Sequence, residues 1–124
     1  MQVKLDTKEK FHVITILEAS LTANMTAELE TTFARLTQND VKNFIVDMEP
    51  VQRIDLEASK KLADMQQNSY ENGHSFVICG IQPEVETFLD EAELLELLNI
   101  TPTLSEAMDI VQMEEIEREL FNDD

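Results

Sequence analysis

Two aspartates, Asp47 and Asp55, flank the loop that contains Pro50, and Ser59 follows one helical turn after the second. Paired carboxylates tuned to different pKa values perform acid–base work, and a hydroxyl beside a base performs nucleophilic work. Neither constellation is complete. In a chain with 26 acidic residues a lone pair of aspartates is weak ground for a dyad, and no histidine neighbours Ser59 in the sequence. The bland roles are that Asp55 caps a helix and that Asp47 is solvated or holds the loop. His12 and His74 lie far apart, neither in a short cluster with Cys, Asp or Glu at ligand spacing, so no metal site is expected. Cys79, the single cysteine, ends the apolar run from Phe76, which suits a buried inert thiol and excludes an internal disulfide. A phosphate cradle needs clustered glycines before a helix. The turns here read Glu18-Ala19-Ser20, Pro50-Val51-Gln52-Arg53 and Gly80-Ile81-Gln82. No catalytic residue, cofactor or metal is assigned; binding to protein is what these residue types leave.

Charge narrows the partner. A formal net charge of -17 repels nucleic-acid backbones and anionic lipid headgroups, so neither nucleic acid nor direct membrane insertion is expected. The excess is uneven: 11 acidic and 8 basic residues up to position 70, then 15 acidic residues against Arg118 alone. The acidic half either steers a basic protein partner or simply solvates the domain. With 124 residues, 43% of them hydrophobic, and only 2 Gly and 3 Pro, the chain suits one domain with a modest core. Met1 to Lys10 lack the apolar core of a signal peptide and no apolar run approaches the ~18 residues of a membrane span, so the cytoplasm is the expected compartment.

The elements that must position these residues alternate. Val3 to Leu5 and Phe11 to Leu17 read as strands joined by the turn Asp6-Thr7-Lys8-Glu9. Met25, Leu29, Phe33 and Leu36 then recur at helical spacing, with Asn24 as the cap. Phe44 to Met48 is a short apolar run of the central-strand type, ended by Pro50. Asp55 is placed to cap a helix carrying Ala58, Leu62 and Met65 inward to about Ser69. A strand from Ser75 to Cys79 follows, then a helix opening at Pro83, an ambiguous stretch from Leu94 to Ile100, and a last helix from Leu104 that reaches almost to Phe121. The order β-β-α-β-α-β-α-β-α predicts an α/β fold: a mixed four- to five-stranded sheet with helices packed against it and Phe44, Val46, Val77 and Cys79 inside.

This order, and the residues at its junctions, resemble the STAS domain, the fold of bacterial anti-sigma factor antagonists, from about Val3 to Val111. Ile14 to Leu21 looks like the family's second strand and following turn, with Ala19 in place of a glycine. Phe44 to Met48 is similar to its central strand, and Gly73 to Gly80 with Gln82-Pro83-Glu84-Val85 to its next strand and helix start. The expected division is a STAS-like domain at 1–111 and an acidic helical extension or tail at 112–124, in which Met113, Ile116 and Leu120, spaced three and four apart among glutamates, can form an apolar stripe. The resemblance implies a recognition surface at Val51, Gln52, Arg53, Asp55, Leu56, Glu57, Ser59 and Lys60. Where such antagonists commonly read Asp-Ser-Ser-Gly, with the first serine phosphorylated, this chain reads Asp55-Leu56-Glu57-Ala58. Leu56 is then an apolar anchor for a partner or a staple packed on the core, and Ser59 is a second-rank, relocated phosphoacceptor. The partner so implied is an anti-sigma factor of kinase-like fold, with homo-oligomerisation left open. The alternative is an accessory subunit of a membrane lipid-transport or signalling complex.

Overall fold

The computed structural model describes residues 1–121. The edge strand β1 (Val3–Thr7) and its neighbour β2 (Phe11–Ile16) form an antiparallel hairpin. Its turn is shorter than the sequence indicates, because Asp6 and Thr7 still pair with Val13 and His12. After β3 (Ser20–Leu21) and α1 (Ala23–Leu36), the chain enters β4 (Asn43–Asp47), β5 (Arg53–Ile54), α2 (Leu56–Glu71), β6 (Phe76–Cys79) and α3 (Pro83–Glu91). A short 3-10 turn at Leu95–Leu97 resolves the ambiguous stretch, and β7 (Ile100–Thr101) and α4 (Leu104–Phe121) close the described chain. The main sheet is five-stranded and mixed, in the order β1-β2-β4-β6-β7, parallel except for the hairpin.

Strand periodicity divides the core between two layers. On one face Ile14, Ile16, Phe44, Val46, Phe76 and Ile78 meet Leu29, Phe33, Leu62, Met65 and Leu89 from α1, α2 and α3. On the other, Phe11, Val13, Ile45, Val77 and Cys79 meet Ala107 and Val111 of α4. The four strand residues expected inside are all buried, but Phe44 and Val46 face one layer and Val77 and Cys79 the other. Phe44 stacks between Phe33 at 4.2 Å and His12 at 5.2 Å. His12 is itself buried; its Nε2 lies 3.0 Å from the Val41 carbonyl, which can only accept, and its Nδ1 lies 2.9 Å from the Thr7 hydroxyl.

One capping expectation fails. Thr22, not Asn24, precedes the first helical residue of α1, and its side chain makes no capping bond. The missing acceptor comes from elsewhere in the fold, the carboxylate of Asp55.

Candidate partner-binding surface

The loop between β4 and α2 is shaped by its own polar atoms. Asp47 Oδ1 accepts from the Glu49 amide at 3.0 Å, and the Val51 amide donates to the Met48 carbonyl at 2.9 Å, closing a turn around Pro50. Gln52 and Arg53 both donate their amides to the Ala19 carbonyl, at 2.8 and 3.1 Å. These bonds lead into a two-stranded parallel ribbon in which Ser20 pairs with Arg53 and Leu21 with Ile54. Two residues per strand leave no periodicity to read, so the ribbon is not visible in the sequence. It decides where α2 begins.

Asp55 then serves two helices. Its Oδ1 accepts from the Ala58 amide at 2.7 Å, the N-cap bond expected for α2, while Oδ2 lies 3.3 Å from the amide of Ala23, the first residue of α1. One carboxylate thus ties together two helix N-termini whose dipoles both favour negative charge. Lys61 and Glu30, 3.1 Å apart, brace the same pair of helices further along. Asp55→Ala is expected to destabilise the domain by about 1–2 kcal/mol, the range for a lost helix cap. Urea melts should show the loss. Retention of wild-type stability would mean that water replaces both bonds.

Leu56 follows immediately at the exposed start of α2, 41% accessible, so it does not act as a core staple in this fold. Gln52, Arg53, Glu57 and Lys60 are exposed beside it in sequence, with Glu57 and Lys60 loosely paired at 3.9 Å. Two of the expected contact residues are corrected by the structure. Val51 is wholly buried, sealing the loop onto the core, and Ser59 is wholly buried with its Oγ donating to the Asp55 carbonyl at 2.8 Å. Neither side chain reaches the surface. Leu17, absent from the expected set, is 47% exposed at the same C-terminal end of the sheet, since β2 and β4 run in register with Thr15 opposite Asp47. A single exposed leucine after a strand carries no signal of its own in sequence.

Burial first, and then the charges of Asp47 and Glu49, push the Cys79 thiol up to about 12, so it stays protonated. Asp47 and Asp55 are each committed to backbone amides, in the roles of loop holder and helix cap.

Residues 2–107 match the family model described as the STAS domain. The chain belongs to the STAS domain family. It is a regulatory, non-catalytic module, as domains of this family are. No curated protein matches it significantly. Among solved structures, a serine-to-glutamate variant of RsbS from Moorella thermoacetica is similar at 20% identity and TM-score 0.75, covering 95% of this chain and 99% of its own. An anti-sigma-factor antagonist (STAS) domain protein from Planctomyces limnophilus shares 17% identity at TM-score 0.74, with 89% and 97% covered. The anti-sigma factor antagonist SpoIIAA in its unphosphorylated form shares 15% at TM-score 0.71, with 90% and 96% covered. At these identities the likeness is one of fold. No helix among the described residues is long and apolar enough to cross a membrane.

Proposed function

We propose that this STAS domain is a binding module for a protein partner, an anti-sigma factor of kinase-like fold, engaged through Gln52, Arg53, Asp55, Leu56, Glu57 and Lys60, and that docking is not switched by phosphorylation at the start of α2. The observation that carries the reading is Leu56. It stands exposed on the capped N-terminus of a helix, at the position where the family commonly carries its phosphoacceptor serine. A phosphate there adds roughly -1.5 to -2 charge, which disrupts a close-packed contact by repulsion and desolvation. Leucine has no hydroxyl to receive it. Ser59 is a poor substitute, because a kinase would have to open the first turn of α2 to reach it. Fold likeness to SpoIIAA and RsbS supports this reading.

The test is partner capture with the full chain from its native cell, followed by incubation of the complex with ATP. The expected result is an ATP-binding anti-sigma factor, an unchanged intact mass for this chain and a complex that persists. Stoichiometric phosphate on Ser59 or elsewhere would overturn the unswitched reading. Recovery of an ATP-driven transport complex would transfer the same surface to the accessory-subunit alternative.

A further inference from the structure

The sequence stripe Met113, Ile116 and Leu120 lies on α4, and the structure turns it away from the domain: the three are 59%, 57% and 71% exposed. Spacings of three and four put them on one line of a helix, the a-d-a pattern of a coiled-coil seam, and Phe121 stands exposed at its end. Isolated exposed leucines need no explanation, whereas a continuous apolar line does.

The helix cannot roll to hide it. On the opposite side Ala107 and Val111 are buried against the sheet. Further along, Arg118 Nη2 donates to Ser75 Oγ at 3.0 Å, Asn43 Oδ1 at 3.1 Å and Glu115 Oε2 at 2.9 Å. Glu114 Oε1 accepts from Tyr70 at 2.8 Å and Ser75 at 2.6 Å. Rotation that buried Ile116 would break this whole set. Polar groups dock the second half of α4, and its apolar stripe is presented.

We propose that the outward face of α4 is a second docking surface whose occupant is an amphipathic helix of a partner protein, carrying Lys or Arg on either side of its own apolar seam. The charge around the stripe selects that occupant. Glu117 lies on one flank, Gln112 and Glu119 on the other, and Glu106 and Asp109 continue the line toward the helix start, all exposed. In a paired-helix arrangement the flanking positions meet across the seam. A second copy of this chain would set glutamate against glutamate, and an anionic bilayer would be repelled in the same way. Basic flanks form ion pairs there instead. The surface is also separate from the Leu56 region, because α2 and α4 cover opposite faces of the sheet.

The probe is a synthetic helical peptide with Leu at a and d and Lys at e and g, titrated into the full chain and followed by fluorescence anisotropy and amide chemical-shift mapping. Saturable binding is expected, with shifts centred on residues 106–121. The Ile116→Ser/Leu120→Ser variant should bind about tenfold more weakly, as expected for truncating central apolar anchors, while Leu56→Asp leaves peptide binding unchanged. Both substituted side chains are exposed, and circular dichroism checks that the variant stays folded. Equal binding of a peptide with Glu at e and g, equal binding of a Lys peptide with Ser at a and d, or an unchanged double variant would each overturn the proposal. So would self-association in sedimentation, or binding to phosphatidylcholine vesicles, that the double variant abolishes, since these assign the seam to a second copy or to lipid.

Discussion

Leu56→Asp weakens partner affinity by about 1–3 kcal/mol, the range for placing an unpaired charge on a contact desolvated by binding, which is about 5- to 150-fold in Kd. The effect arises at the interface and not in the fold. Leu56 is substantially exposed, and a carboxylate at the first position of a helix is compatible with the helix dipole. The free variant should therefore melt close to wild type, with the Asp55 cap intact. Calorimetric titration against the captured partner measures the loss directly, and circular dichroism supplies the folding control. An unchanged affinity in a folded variant would remove the start of α2 from the interface. The substitution also imitates the charge that a phosphoacceptor would gain at this place, so the size of the loss reports how much switching the domain gives up by carrying leucine.

The parts of this molecule that were legible in sequence share a physical cause. Helices α1 to α3 each bury one face, which imposes a period of 3.6, while strands β2, β4 and β6 are buried on both faces and read as short, nearly continuous apolar runs. Asp55 was legible because capping is a local demand, met within three residues of the cap. Its second bond, to Ala23, was not, since nothing near Ala23 announces that its acceptor lies beyond β4. The same holds for Asn24, which has the side chain of a cap but sits inside a helix whose first amide is already served. Val51 and Ser59 fall in the expected recognition surface because the resemblance places the whole loop and helix start there. Burial follows from tertiary placement, and adjacent residues on one loop or helix turn can face opposite ways. The stripe on α4 was legible as a stripe, but its outward orientation depends on polar partners contributed by Asn43, Tyr70 and Ser75 from three other parts of the chain.

Asn43 is the hub of that polar set, and Asn43→Leu is expected to destabilise the domain by about 2–4 kcal/mol, more than loss of the Asp55 cap, because several groups lose their partner at once. Its Oδ1 accepts from the buried Ser75 amide at 2.7 Å and from Arg118 at 3.1 Å. Its Nδ2 donates to the Lys10 carbonyl at 2.9 Å and to Glu115 at 3.0 Å. Leucine fills a similar volume and satisfies none of these four. Ser75, wholly buried, has no water to turn to, whereas Arg118 and Glu115, 24% and 27% exposed, keep water and each other but lose this tie between the end of α4 and the sheet. Amide exchange should therefore accelerate over 112–121 before the rest of the domain opens. Acidification provides a second signature. Burial alone would raise the Glu115 carboxyl, but the hydrogen bonds from Asn43 and Arg118, with the charges of Arg118 and Lys10, outweigh it and hold the group below its ordinary 4.5. The folded state then binds fewer protons than the unfolded one, so this contribution is complete above about pH 4.5 and is lost as pH falls through the folded value. The stability difference between wild type and Asn43→Leu should narrow over that acidic range. A variant that loses less than about 1 kcal/mol in urea melts, or whose deficit does not change on acidification, would show that Asn43 does not hold α4 in place.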